Sequence, residues 1–297
     1  MAHDHDHAPP ADLGPAFRWA LALNVTYVAL ESTAGFMTGS LALLADAAHN
    51  LTDVAGLLIA WGAAVLAKRA GSDRYTFGYG RATILAAMLN AIAILVGVVV
   101  VIWEASSRFA DPVEVPGLTI MFVALLGIVV NTGSALLFMK SRKGDLNANG
   151  AFLHMAADAA VSGAVVVAAG AILLTGWRWL DPAVAIAVSV LIAYTAWGLL
   201  RASLRLQLDG VPHSIDRQAV AVWLGDRPGV SNVHDLHIWA LSTTRTALAA
   251  HIVWQGEDAD AFIERVTDGL EHDFGIGHVT LQIESAPCER AGVCLAT

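Results

Sequence analysis

Six apolar runs, each about twenty residues long, constrain this chain more than any other feature. They cover approximately Phe17–Met37, Leu41–Leu66, Ala82–Trp103, Leu118–Met139, Ala151–Leu174 and Pro182–Leu200. Roughly 20 apolar residues of helix cross a bilayer's hydrocarbon core, and a helix satisfies its own backbone polar groups there. The expected fold is therefore an α-helical membrane domain of six transmembrane helices over residues 17–207. With 56% of its 297 residues hydrophobic and 14% charged, the chain is too apolar for an ordinary soluble domain. Charges become frequent only after Asp209, which points to a soluble domain over 208–287. Short tails remain at 1–16, rich in histidine, and at 288–297, containing both cysteines.

The connections between runs set the orientation. One side carries Lys68, Arg69, Arg74 and Arg81, then Lys140, Arg142 and Lys143, then Arg201 and Arg205. The opposite connections hold only Arg108 and Arg178. The excess of Lys and Arg marks the cytoplasmic side, so both termini are expected in the cytoplasm. The start "MAHDHDHAPP" has no basic segment of a secretory signal. A net charge of −9 with no basic stripe argues against nucleic acid as a partner.

Two runs bury the same unusual pair. "HNLTD" puts His49 and Asp53 in the second run, and "HMAAD" puts His154 and Asp158 in the fifth. Residues four apart share one face of a helix, and ionised side chains at bilayer depth normally face protein or water and serve a function. Two imidazole nitrogens and two carboxylate oxygens match the tetrahedral preference of Zn²⁺. Two carboxylates also neutralise one Zn²⁺. Without the metal their buried charge draws protons, so the same four residues are expected to exchange zinc for protons. Asp46, three residues before His49, is either an orienting or proton-path group or an ordinary interhelical hydrogen-bond partner. Asn24, Glu31, Asn90 and Asn131 are expected to bond spans together rather than to ligate.

In the soluble part, "SIDRQAVAVWLGD" and "EDADAFIERVTDGLEHDFG" read as helices, and "NVHDLHIWALS", "RTALAAHIVW" and "HVTLQIES" as strands. The order αββαβ is that of a ferredoxin-like α+β domain with helices on one face of a small sheet. His278 and Glu284 are six apart on one strand and share a face. His234 and His237, three apart, face opposite sides if their strand is regular. His213, His237 and His272 read as ordinary surface or packing residues. Cys288 and Cys294 are too few for a disulfide framework and suit a thiol or metal role. The "HDHDH" tail is by composition either a metal-gathering segment or a solvated leader.

These residues resemble the cation diffusion facilitator family, specifically its zinc-transporting branch. The resemblance rests on the six runs, "HNLTD", "HMAAD", "YTFGYGR", "VHDLHIW", "AAHIV" and "HVTLQIES". It implies a homodimer in which His49, Asp53, His154 and Asp158 form the transport site. It further implies that His234, His251, His278 and Glu284 form a cytoplasmic zinc site that stabilises or regulates the dimer. Some relatives complete a second cytoplasmic site with C-terminal cysteines and N-terminal residues of the partner subunit, which here points to Cys288, Cys294, His3, His5 and His7. The chain departs from the family pattern at Thr83, where a Glu is common. The loop before it offers only Gly80 and Asp73, so no metal site is expected there. The short "KSRKGDLN" connection favours a bacterial-type protein of the inner membrane.

The expected activity is proton-coupled antiport, exporting Zn²⁺ from the cytoplasm by alternating access. The rivals are a membrane-anchored zinc sensor or buffer, and the same antiport with Cd²⁺ or Co²⁺ as main substrate. No enzyme is expected, since the His-Glu-x-x-His of zinc proteases does not occur.

Overall fold

The computed structural model describes residues 15–109, 114–139 and 146–286. Six long helices come first: α1 (Pro15–Thr38), α2 (Leu41–Ala67), α3 (Ala82–Arg108), α4 (Gly117–Phe138), α5 (Leu146–Thr175) and α6 (Leu180–Gln207). Among the described residues, four stretches are long and apolar enough to cross a bilayer: Ala82–Arg108, Gly117–Leu137, Met155–Thr175 and Leu180–Gln207. α1 and α2 are of similar length, but several of their side chains lie outside the described residues. The chain divides into two compact units, Met1–Ile59 with Leu89–Leu200, and Ala60–Met88 with Arg201–Thr297.

The first unit buries small and branched residues between helices and turns large apolar ones outward. Tyr27, Leu43, Ile120, Ala124, Val165 and Ala169 pack into one cluster, drawn from α1, α2, α4 and α5. Trp103, Leu174 and Tyr194 are exposed, the inverse of a water-soluble surface and suited to lipid contact. The turn between α1 and α2 needs Gly39, whose φ of 69° favours glycine. Asp181, at the start of α6, accepts from the Leu41 N–H at 2.8 Å and from the Ser40 hydroxyl. It thereby fills backbone donors that the first turn of α2 leaves unpaired.

The second unit holds α7 (Arg217–Gly225), β1 (Val230–Ala240), β2 (Thr246–Trp254), α8 (Ala259–Phe274) and β3 (His278–Glu284). The strands lie in the order β1-β2-β3, with β1 antiparallel and β3 parallel to β2. The sheet thus has three strands among the described residues, one fewer than a full ferredoxin-like unit. Asp216 and Asp258 cap α7 and α8 by accepting backbone N–H bonds, and Gly275 in the left-handed region ends α8. Phe262, Val266 and Leu270 of α8 recur every four residues and meet Leu236, Ile238, Leu248 and Ile252 of the sheet in one core.

The connection between α2 and α3 packs within this second unit. Gly80 lies so close to the Leu241 carbonyl that a β-carbon would press on it. Phe77 meets the His278 ring edge-on, with centroids 5.4 Å apart, and Arg81 pairs with Asp209. Thr83 accepts from the Thr243 N–H at 3.0 Å and donates to the Gly80 carbonyl at 2.9 Å. A hydroxyl that both donates and accepts suits this position, whereas an ionised carboxylate can only accept.

Candidate metal centres

Helical spacing builds the first centre. α2 carries His49 and Asp53, and α5 carries His154 and Asp158. His49 Nε2 lies 3.6 Å from Asp158 Oδ1, so the two helices meet through their motif residues. Asp158 is buried and the His49 side chain nearly so. The side chains of Asp53 and His154 lie outside the described residues. Asp46 Oδ2 accepts from Ser162 Oγ at 3.3 Å, a second link between the same helices. Asp46 precedes His49 by three residues and Ser162 follows Asp158 by four, so this link stacks about one helical turn from the first. Asn24 bonds Ser134 at 3.2 Å, as expected for polar contacts between spans. Asn131 departs from that expectation: it is fully buried, and its side chain has no partner among the described residues.

Strand register builds the second centre. β1 and β2 pair His234 directly opposite His251, and β3 brings Glu284 beside Val253 of β2. One ligand atom from each of His234, His251 and Glu284 lies within 4.8 Å of the other two. His234 Nε2 is 3.2 Å from Glu284 Oε2, and His251 Nδ1 is 3.1 Å from Glu284 Oε1. These atoms are near but misaligned for hydrogen bonding. His234 Nε2, His251 Nδ1 and Glu284 Oε2 are all buried without a hydrogen-bond partner. Three orphaned atoms converging on one point fit a cation better than they fit each other. Two imidazole nitrogens and a carboxylate are a Zn²⁺ ligand set with a fourth position open.

The surrounding residues aim those atoms. Asn232 Oδ1 lies 3.0 Å from His234 Nδ1, and a donated Nδ1–H there leaves Nε2 as the lone-pair atom. Asp235 Oδ2 lies 3.5 Å from His251 Nε2, on the ring edge opposite the cluster. A carboxylate behind a ligating imidazole fixes its tautomer and raises its basicity.

Asp235 also changes the geometry of β1. It has a φ of 51°, and the β1–β2 register shifts between His234 and His237. This bulge sets two residues of β1 against Ala250 alone, so His237 falls on the same face as His234. The regular strand would have put them on opposite faces. His237 Nε2 bonds Asp235 Oδ1 at 3.0 Å instead of joining the cluster. Asn232 and Asp235 escaped the sequence reading, and their signal is the polar "NVHD" interrupting an otherwise alternating strand.

His278 is not among the converging residues. It opens β3 opposite Ala247, six residues from Glu284, which is about 20 Å along an extended strand. The two share a face but cannot share an ion within one protomer. Cys288, Cys294, His3, His5 and His7 lie outside the described residues.

Two family models together cover most of the chain. The cation efflux transmembrane domain family matches residues 18–206, and the cation efflux protein cytoplasmic domain family matches 212–286. The chain is 38% identical over 293 residues to the metal cation efflux system protein CzcD of Cupriavidus metallidurans, covering 97% of this chain and 92% of the relative. It is 37% identical over 295 residues to the zinc transporter ZitB of Escherichia coli, covering 97% and 94%. It is 34% identical over 265 residues to the cadmium, cobalt and zinc/H⁺-K⁺ antiporter of Bacillus subtilis, covering 87% and 85%. The chain belongs to the cation efflux, or cation diffusion facilitator, family.

Proposed function

We propose that this protein is a homodimeric Zn²⁺/H⁺ antiporter that exports zinc from the cytoplasm. It would span the bacterial inner membrane six times over residues 17–207, with both termini and the 208–287 domain in the cytoplasm. Zinc is the substrate at His49, Asp53, His154 and Asp158. The observation that carries this reading is the 3.6 Å approach of His49 and Asp158 between two membrane helices, each bearing the same His-x-x-x-Asp pair. Facing inward, the four residues collect zinc with both carboxylates ionised. Facing outward, protons compete for the same oxygens and nitrogens, zinc leaves, and the protonated ligands return.

Zinc at His234, His251 and Glu284 would hold the cytoplasmic domain in its dimeric form and tune transport without lying on the path. A resident ion there would supply a fixed positive charge joining all three strands. Cys288, Cys294, His3, His5 and His7 are reserved for a second cytoplasmic site across the dimer. The names of the relatives favour keeping Cd²⁺ and Co²⁺ as alternative substrates, since geometry rather than raw affinity selects among such ions.

The test is flux in proteoliposomes loaded with a zinc dye and a pH dye, under an imposed proton gradient. Zinc movement with opposite proton movement is expected from the wild type and not from Asp53→Asn. Zinc binding without flux would turn the reading to a membrane-anchored sensor or buffer.

A further inference from the structure

Asn131 of α4 is fully buried, and neither its amide oxygen nor its amide nitrogen has a hydrogen-bond partner among the described residues. An amide buried in this way has given up its bonds to water and received nothing in exchange. Such groups are rare in native structures and call for a partner or a function. If packing alone were required here, leucine, with the same branching and no polar atom, would serve better.

The register between α4 and α5 shows what stands opposite. A β-carbon added at Gly117 of α4 would press on Leu173 of α5, and one at Gly127 would press on Ser162 Oγ. Ten residues forward on α4 thus match eleven back on α5, so the two helices run antiparallel and stay in step. Asn131 is four residues past Gly127 and shares its helix face; Asp158 is four before Ser162 and shares its face. A second contact closes the frame from the other end. Asn24 of α1 bonds Ser134 of α4 at 3.2 Å and reaches the Met155 sulfur of α5 at 3.6 Å. Ser134 is three residues past Asn131, and Met155 is three before Asp158. Asn131 and Asp158 therefore occupy one rung, held by contacts about one helical turn away on either side.

Asp158 meets α2 through Oδ1, 3.6 Å from His49 Nε2. An ionised carboxylate has about four acceptor positions, more than one ion uses. α4 holds no carboxylate, imidazole or thiol, so what it can bring to an ion site is a neutral dipole. We propose that Asn131 is a positioning residue of the transport site: its amide N–H donates to the Asp158 carboxylate when that carboxylate holds the metal, and sets which oxygen faces the ion. This rests on the reading of His49, Asp53, His154 and Asp158 as the transport site. The direction of the bond follows from charge, since a carboxylate repels the amide oxygen and accepts from the nitrogen. A third helix thereby acts on the site without entering the ion's own set of two nitrogens and two oxygens.

The test uses the full-length protein carrying His234→Ala and His251→Ala as the parent, so that added Zn²⁺ reports the membrane site. Asn131→Leu exchanges an unpaired amide for an apolar side chain of the same branching, and should melt in detergent no lower than the parent. Its zinc dissociation constant should nevertheless rise about 10- to 100-fold, and in proteoliposomes KM for zinc should rise more than kcat falls. The infrared difference between zinc-loaded and metal-free parent should contain a side-chain amide band that Asn131→Leu lacks. Asn131→Ala should lose the same affinity and the same band, which keeps the test open if Asn131→Leu does not fold. Zinc affinity within about threefold of the parent in either variant would overturn the proposal, as would a difference spectrum from which neither substitution removes a band. Parent protein whose zinc binding survives Asp158→Asn would instead remove the transport-site reading, a separate outcome.

Discussion

The two candidate metal centres place the same residue types, imidazole and carboxylate, on different scaffolds. In the membrane unit, imidazole and carboxylate come from facing helices, and the residues around them form another polar layer at Asp46, Ser162, Glu31 and Tyr27. In the cytoplasmic unit, the ligand atoms come from three adjacent strands. There each imidazole has its second nitrogen beside an oxygen, from Asn232 or Asp235. The first arrangement leaves buried carboxylates that either a metal or protons can neutralise, which suits exchange. The second fixes tautomer and ring orientation in advance, which suits retention.

The largest expected effect tests the exchange half. Asp158→Asn removes a ligand oxygen and a compensating charge, and should lower zinc flux in proteoliposomes by about 100-fold or more. Flux near wild type would break the comparison at its base. The retention half is sharpened by Asp235→Asn, which leaves all three cluster ligands in place. It should weaken zinc at the cytoplasmic centre about 10- to 100-fold in a chelator competition. It should reduce flux without abolishing it, and His251→Ala should behave alike.

Smaller effects are expected where packing rather than ligation is changed. Gly127→Ala sets a methyl against the Tyr27 hydroxyl and should destabilise the membrane unit by about 1–3 kcal/mol, seen as a lower melting temperature in detergent. The smallest lies on the cytoplasmic surface. The Asp273 carboxyl is held below its usual range by its bond to the His272 ring at 2.8 Å and by the Trp223 indole N–H at 2.9 Å. Its stabilising contribution is therefore present above the unfolded value near 3.8 and is lost as pH falls through the lower folded value. In Asp273→Asn, thermal melts should lose slightly less stability than wild type as pH is lowered below the unfolded value near 3.8.

Helices made the membrane centre easier to anticipate than the cytoplasmic one. Spacing of four dictates a shared helix face wherever the helix sits, so His49 with Asp53 and His154 with Asp158 could be paired before any coordinates. Whether α2 met α5 was beyond that rule, because interhelical contacts leave no local period. Strands gave less. Alternation put His278 and Glu284 on one face correctly, but face alone says nothing of distance along the strand, and His278 lies far from the cluster. Alternation also failed between His234 and His237, because one residue in the left-handed region at Asp235 shifts every side chain after it to the other face. Glu31 looked like a polar contact between spans. Its bond from Asn50 joins residues on different helices, and no spacing rule reaches across them.

The central claim is that zinc in the membrane is held by α2 and α5 through nitrogen and oxygen alone. Zinc-edge X-ray absorption on the full-length protein carrying His234→Ala and His251→Ala isolates that centre. Two nitrogen and two oxygen neighbours at about 2.0–2.2 Å are expected, with the signal lost when Asp158→Asn is added. A sulfur neighbour, or a spectrum unchanged by Asp158→Asn, would contradict the account.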